Sequence, residues 1–262
     1  MTGLIILIIA VVALIAYKLR AKKKQPYVLP KNARNILNKY VQFYTELEDS
    51  DKAIFERRIA DFLASVTITG VGDVVVEDLD RILIASGAII PIFAFPTWRY
   101  NNIAEVLLYK DSFNHEYKTE GTGRNVLGMV GDGAMNRQMI LSKQSVRDSF
   151  ARAADGNNTI IHEFVHLIDK ADGSTDGVPE YLLNRQHMLP WLGLMHQTIA
   201  DMKRTWQSDI NLYGATNQAE FFAVVSEYFF EKPEQLQQKH PELYDMLKQM
   251  FQPVQEIQLP QQ

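Results

Sequence analysis

The chain contains no cysteine among its 262 residues. A disulfide framework, a thiolate metal site and a cysteine nucleophile are therefore excluded, and any metal must be bound by histidine and carboxylate side chains. The absence of cysteine also fits a reducing compartment. Neither sign of charge dominates, because 27 basic residues face 31 acidic ones and the formal net charge is −4. The composition therefore gives no indication of a nucleic-acid partner.

A phosphate-binding fingerprint is also missing. Residues 120–133, EGTGRNVLGMVGDG, contain five glycines, but no Gly-Lys-Ser/Thr follows and no helix obviously starts from the last glycine. We interpret this segment as a flexible loop, in preference to a loop that cradles phosphate.

One long apolar run stands at the start of the chain. Residues 1–17 carry no charge, and five cations follow between Lys18 and Lys24. This run reaches the lower end of the roughly 17 to 25 residues that cross a bilayer. Cations after the run, not before it, indicate an uncleaved anchor rather than a secretory signal. The alternative is a buried helix of the domain.

The anchor sets the predicted domain organisation. We expect a transmembrane anchor at 1–17, a basic juxtamembrane linker at 18–30 and a single domain at 31–262. The positive-inside rule places everything after Lys24 in the cytoplasm, so we expect a single-pass protein of the inner membrane.

Hydrophobic periodicity in the remaining chain predicts an α+β fold that is mostly helical, with a small sheet. The predicted helices cover 35–47, 52–63, 78–92, 145–154 and about 190–209, and the predicted strands cover 66–69, 102–109 and 138–141. The strand at 138–141 is a candidate edge strand for pairing with an extended substrate.

The stretch Thr159–Asp169 carries the chemistry, because it reads HExxH inside an apolar helical run. On a helix, His162 and His166 project from one face and can bind one zinc ion. Glu163 stands beside the first ligand, where it can act as general base on a zinc-activated water. Solvated or core polar residues are the alternative, but two histidines and a glutamate in an apolar run need partners.

A catalytic zinc site requires a third protein ligand, and no histidine follows His166 at the metzincin spacing. The best candidate is Glu220 in the apolar helix at 216–230. Its alternative role is a capping box with Asn217. Glu227 shares the face of Glu220 two turns later, either as an exposed residue or as an acceptor for an imidazole N–H.

Asp169, three residues after His166, has the same two alternatives as Glu227. It is either a surface carboxylate at the end of the helix or an acceptor for an imidazole N–H. The remaining histidines, His115, His187, His196 and His240, have no partner at ligand spacing and are expected on the surface.

The blocks IIHEFVHLID and AEFFAVVSEYFF, with Tyr213 seven residues before Glu220, closely resemble the MtfA (Mlc titration factor A) family of bacterial zinc peptidases. Their catalytic region is in turn similar to that of anthrax lethal factor. The resemblance implies a zincin-like domain in which His162, His166 and Glu220 bind zinc. It also implies that Glu163 is the catalytic base and that Tyr213 is an active-site phenol.

The expected function is therefore zinc-dependent hydrolysis of peptide bonds in a peptide or protein substrate at the cytoplasmic face of the membrane. Enterobacterial members of the family are soluble proteins that bind the repressor Mlc and show aminopeptidase-like activity. Because this chain departs from them by its anchor, aminopeptidase activity is one option and Mlc is not carried over. The main alternative is a zinc-stabilised regulatory module that binds a protein partner and hydrolyses weakly. A scaffold with a chance HExxH would bind no metal.

Overall fold

The computed structural model describes residues 26–111, 128–130, 137–151 and 157–252. The predicted anchor and residues 18–25 of the predicted linker lie outside these ranges. Within them, the helices are all too short or too polar to span a bilayer.

Helices make up most of the described chain. They are α1 (Ala33–Tyr40), α2 (Gln42–Glu46), α3 (Asp49–Ser65), α4 (Asp78–Ile89), α5 (Lys143–Ala151), α6 (Thr159–Asp169), α7 (Arg185–Thr205), α8 (Gln218–Glu231), α9 (Pro233–Lys239) and α10 (Pro241–Phe251). Short 3₁₀ turns follow α4 at Ile90–Ile92 and α6 at Lys170–Asp172, and another precedes α8 at Leu212–Ala215. This confirms the mostly helical α+β fold.

The sheet has four strands, namely β1 (Thr67–Gly70), β2 (Glu105–Tyr109), β3 (Gly128–Val130) and β4 (Gln138–Ser142), in the order β1-β2-β4-β3. The first three in this order run parallel, and β3 is antiparallel to β4. The prediction that the strand at 138–141 forms an edge is wrong, because β4 is paired on both sides. The described sheet has its edges at β1 and β3, and β3 lies inside the segment predicted to be a loop.

Helix boundaries also differ from the prediction, most of all in α1–α2 and in α7. The expected helix at 35–47 is interrupted at Val41, whose extended backbone (φ −108°, ψ 92°) buries its β-branched side chain. Helix α7 starts at Arg185, upstream of Pro190, and ends at Thr205, because the next residue, Trp206, has left-handed backbone angles (φ 51°).

Helix α6 lies in the centre of the fold and packs against α8, α4 and β3. Its approach to α4 depends on Gly87, since a side chain there would collide with Ile160. The rings of Phe62 and Tyr100 pack on Phe164 of α6, with centroids 5.6 and 5.2 Å away. These contacts hold the face of α6 that carries Ile160 and Phe164. The opposite face of α6 packs against α8.

Candidate metal centre and active site

The helix that carries HExxH begins at a buried asparagine. Asn158 has extended backbone angles, and its side-chain oxygen accepts a hydrogen bond from the backbone N–H of Ile161 at 3.1 Å. Asparagine at this position satisfies one of the free N–H groups of the first turn. The register that follows buries the apolar residues of α6 and turns His162 and His166 towards α8.

The donor atoms of His162, His166 and Glu220 converge on one point. Nε2 of His162 lies 3.0 Å from Oε2 of Glu220 and 3.1 Å from Nε2 of His166. The remaining separation, from His166 Nε2 to Glu220 Oε2, is 3.4 Å. Tetrahedral bonds of about 2.0–2.2 Å separate donor atoms by about 3.3–3.5 Å. Two histidines and one carboxylate at these distances therefore fit a single metal ion.

Glu227 lies behind this cluster, on the other side of the His162 ring. Its Oε1 accepts a hydrogen bond from Nδ1 of His162 at 2.7 Å, and its Oε2 accepts one from the backbone N–H of Asn158 at 2.6 Å. A proton on Nδ1 leaves the lone pair of Nε2 directed at the cluster. Of the two roles expected for Glu227, the exposed one is wrong, because the residue is 6% exposed.

Asn158 connects the two helices of the site. Its side-chain amide donates hydrogen bonds to Oε1 of Glu231 on α8 at 2.9 Å and to the carbonyl of Ser149 on α5 at 3.3 Å. Together with its backbone contact to Glu227, this residue joins the start of α6 to the second half of α8.

Charge in the cluster favours a cation. Burial alone would lower the pKa of His162, but its hydrogen bonds to Glu220 and Glu227 outweigh that effect and raise the pKa to about 10. Burial would raise the pKa of Glu220, yet the hydrogen bonds to the two histidines lower it to about 2. The carboxylates of Glu220 and Glu227 therefore favour a positive charge at this point, which is supplied by a proton on Nε2 of His162 or by a divalent ion that replaces this proton.

Glu163 is buried next to the cluster, with 5% of its surface exposed. Burial raises the pKa of its carboxyl, the two histidines lower it, and Glu220 and Glu227 raise it further. A raised pKa brings a carboxylate closer to the range in which it can both accept and return a proton at neutral pH.

Strand β3 passes close to the Glu163 carboxylate at Gly128. A Cβ atom added to Gly128 would lie 2.7 Å from Oε1 and 2.6 Å from Cγ of Glu163. Only glycine leaves enough space for the carboxylate in this position. The sequence pattern did not predict a role for Gly128. The available signal was the apolar run VLGMV at 126–130, which interrupts the glycine-rich segment.

Tyr213 lies at the open side of the cluster, on the 3₁₀ turn before α8. Its ring centroid is 6.1 Å from that of His162, and 55% of the residue is exposed. Partial burial raises the pKa of its phenol, and the carboxylates of Glu220 and Glu163 raise it further. The hydroxyl therefore keeps its proton at neutral pH and can donate a hydrogen bond.

The alternative roles of Glu220 and Asp169 are also decided by geometry. Asn217 caps α8 by accepting a hydrogen bond from the N–H of Glu220 at 2.9 Å, but the Glu220 carboxylate points to the histidines, so no reciprocal capping box forms. Asp169 is completely buried and accepts a hydrogen bond from the N–H of Gly177 at 2.9 Å. Of its two alternative roles, the surface carboxylate is wrong, and no hydrogen bond to an imidazole N–H is formed within the described residues, where Oδ1 of Asp169 and Nδ1 of His166 both lack a partner.

The other histidines that the structure describes take no part in this cluster. His196 contacts Gln218, and His240 contacts Asp209. His187 stands on the first turns of α7 beside Gln186, and His115 lies outside the described residues.

Sequence comparisons agree with the geometry. The sequence model of a family described as "Glucose-regulated metallo-peptidase M90" matches residues 16–252. An uncharacterised protein of Synechocystis sp. is 32% identical over 234 residues, which cover 85% of this chain and 84% of that protein. Mlc titration factor A of Pectobacterium atrosepticum is 28% identical over 72% of this chain and 74% of its own length. The protein of the same name from Serratia proteamaculans is 32% identical over 56% of this chain and 59% of its own. The resemblance to the MtfA family is confirmed.

Proposed function

Because this chain belongs to the glucose-regulated metallo-peptidase M90 family, we propose that it is a zinc-dependent peptidase that hydrolyses peptide bonds. The observation that carries this proposal is the convergence of His162, His166 and Glu220 beside a buried Glu163. A purely structural zinc site has no need of a general base next to its ligands.

Each side chain of the site has a separate role in the proposed hydrolysis. Zinc held by His162, His166 and Glu220 would supply Lewis acidity towards water and the substrate carbonyl. Glu163 accepts the proton of the attacking water and returns it to the leaving amine, as its raised pKa allows. Tyr213 donates its hydroxyl proton in a hydrogen bond to the oxygen that becomes negative in the transition state.

The proposal extends to location and substrate. We expect residues 1–17 to anchor the enzyme in the inner membrane and residues 31–262 to face the cytoplasm, where peptides or proteins near the membrane are the substrates. A reporter fused after Gln262 tests this topology, since activity on the outer side of the membrane would contradict it. Removal of single N-terminal residues from peptides would identify an aminopeptidase.

A second candidate function is favoured by the names of the relatives. Several are called Mlc titration factor A, a name that indicates binding of a regulatory protein. In this alternative the chain binds a protein partner through a zinc-stabilised domain, and its hydrolysis is weak.

One experiment separates the two functions. The full chain, purified in detergent and loaded with zinc, is incubated with a mixed peptide library beside its Glu163→Gln and Glu180→Gln variants. Glu180 is exposed and is not part of the metal cluster, so its variant controls for the loss of one negative charge. We expect cleavage by the parent and by Glu180→Gln, and none by Glu163→Gln at equal zinc content. If all three bind zinc and none cleaves, the binding function is favoured.

A further inference from the structure

Strand β1 forms the edge of the described sheet that lies away from the active site. The opposite edge is β3, where Gly128 approaches the carboxylate of Glu163. Three strand spacings of about 4.8 Å each separate β1 from β3. A ligand at the free side of β1 would therefore not enter the metal cluster.

The main chain of β1 directs hydrogen-bonding groups to this free side. The N–H of Thr67 donates to the carbonyl of Ala104, and the N–H of Val71 donates to the carbonyl of Leu108, both at 3.0 Å. Successive residues of a strand direct their N–H and C=O groups to opposite sides. The N–H and C=O of Ile68 therefore point away from β2, to the edge where the described sheet has no further strand.

The free part of this edge is short. The carbonyl of Val74 lies against Gly70 and covers the end of the strand. At its beginning, the N–H of Val66 donates to the carbonyl of Phe62 at 2.8 Å. Ile68 is thus the residue of β1 that offers both a donor and an acceptor. Pairing with its main chain alone would bind a ligand weakly, so a specific ligand needs a further contact.

A cleft with a volume of about 490 Å³ opens along this edge. Its volume lies in the range of about 300–1,000 Å³ that is usual for ligand sites. The walls come from the segment before α1, the end of α3, the start of β1 and the first turn of α4, with Tyr27, Leu63, Val66, Thr67, Ile68 and Arg81 among the lining residues.

Arg81 provides the further contact. It is partly buried at the wall of the cleft, and its guanidinium has no hydrogen bond or ion pair within the described part of the chain. Asp78, three residues earlier on α4, is exposed and does not pair with it. The guanidinium group presents its N–H donors in a planar fork that fits a carboxylate.

The other acidic residues at the start of α4 are bound to different cations. Glu77 lies 2.9 Å from Nζ of Lys143 and 3.1 Å from Nη2 of Arg147. Asp80 lies 3.2 Å from Nζ of Lys143 and 2.9 Å from Nε of Arg147. The charge of Arg81 is therefore available to a ligand.

A small anion and an extended peptide would use this cleft differently. A small anion could bind Arg81, but it would leave the N–H and C=O of Ile68 unused. An extended peptide brings alternating N–H and C=O groups that match those of Ile68, as in the addition of a strand to a sheet edge. One carboxylate on that peptide would also form charge-assisted hydrogen bonds with Arg81.

We propose that this cleft binds an extended peptide segment that carries one carboxylate. The segment pairs with the free edge of β1 at Ile68 and places its carboxylate against Arg81. The carboxylate is either the C terminus of the segment or an acidic side chain within it. This docking site is separate from the metal cluster, and binding to it does not require hydrolysis.

Peptide titrations test the site. The full chain, as its zinc-loaded Glu163→Gln variant in detergent so that no peptide is cleaved, is titrated with three fluorescein-labelled hexapeptides of alternating valine and threonine. The first ends in a free carboxylate. The second is amidated and contains one central glutamate, and the third is amidated without an acid. We expect the first, the second or both to bind about tenfold more tightly than the third, which identifies the source of the carboxylate. Equal Kd values for all three would overturn the proposal.

Two further variants assign the carboxylate contact. Arg81→Gln, added to the same chain, should raise the Kd of the preferred peptide by about tenfold. We expect this variant to fold, because the guanidinium has no contact to lose within the described residues. Arg57→Gln is the matched control, since Arg57 is exposed on α3, and it should bind as the parent does. Equal Kd values for the two variants would overturn the proposal.

Amide hydrogen exchange tests the pairing with β1. The preferred peptide should slow exchange at the N–H of Ile68, while the N–H groups of Thr67 and Val71, which already donate to β2, serve as internal controls. Binding that depends on Arg81 but leaves exchange at Ile68 unchanged would indicate a simple anion site and overturn the proposal.

Discussion

Glu227 accepts a hydrogen bond from Nδ1 of His162 at 2.7 Å, on the side of the ring that faces away from the metal cluster. Glu220, on the same helix, lies 3.0 Å from Nε2 of that ring. One helix therefore contacts both nitrogens of one imidazole. The Glu220 carboxylate is placed to bind the metal together with Nε2 of His162. The Glu227 carboxylate determines which nitrogen of that ring carries the proton.

Removal of Glu227 should weaken metal binding. In Glu227→Ala the His162 ring loses its acceptor, and we expect zinc affinity to fall about 10- to 100-fold. Competition with a chromophoric chelator measures this. Glu231→Ala is the matched control on the same helix, because it removes a carboxylate one turn beyond Glu227 that contacts the amide of Asn158. An unchanged zinc affinity in Glu227→Ala would show that the hydrogen bond has no role in binding.

Gly128→Ala should impair hydrolysis without removing the metal. The new methyl group would collide with the Glu163 carboxylate, and misplacement of a catalytic group by about 1 Å can cost on the order of 100-fold in rate. We expect kcat to fall by that order while zinc content stays constant. Gly193→Ala is the control, because a methyl group there meets no atom within 4 Å. Equal kcat in both variants would contradict the contact.

Tyr213→Phe should retain zinc and lose activity. The variant keeps the ring beside His162 but removes the hydroxyl that would stabilise the developing oxyanion, and such donors contribute about 100- to 1,000-fold to rate. Steady-state kinetics should show the loss mainly in kcat. Tyr181→Phe removes a hydroxyl from another exposed tyrosine and should leave the rate unchanged. A rate for Tyr213→Phe within a few fold of the parent would exclude the phenol from the mechanism.

Ionisation of Asp209 should make the free energy of unfolding depend on pH in the acid range. Burial opposes its ionisation, but hydrogen bonds from Tyr228 and His240 outweigh this and lower its pKa from 3.8 to about 2. A depressed pKa stabilises the fold fully above about pH 4, and the contribution is lost as the pH falls towards 2. At neutral pH we expect the parent to exceed Asp209→Asn by about 1 kcal/mol in free energy of unfolding, because solvent screens the contacts of this exposed residue. Urea titrations across this range measure it, and a difference that does not shrink in acid would refute the assignment.

Sequence patterns predicted the elements whose signal is local. The apolar periodicity around His162 placed α6, which spans Thr159–Asp169. The prediction that Glu220 and Glu227 lie on one face of their helix was also correct. Periodicity could not show that one imidazole lies between the two carboxylates, because that depends on how α6 and α8 pack.

The features that escaped prediction depend on contacts between distant segments. Strand β3 has three residues and starts with glycine, so it exists through pairing with β4 and not through its own propensity. The break at Val41 is similar, since burial of one side chain outweighs the helical pattern on both sides.

The separation of the metal donors along the chain has a consequence for folding. His162 and Glu220 are 58 positions apart, in a protein that has no cysteine. A metal bound by both closes that loop and acts as a cross-link, which restricts the unfolded chain in the way a disulfide does. Supply of the metal would then control both the chemistry and the rate at which α6 and α8 separate during unfolding.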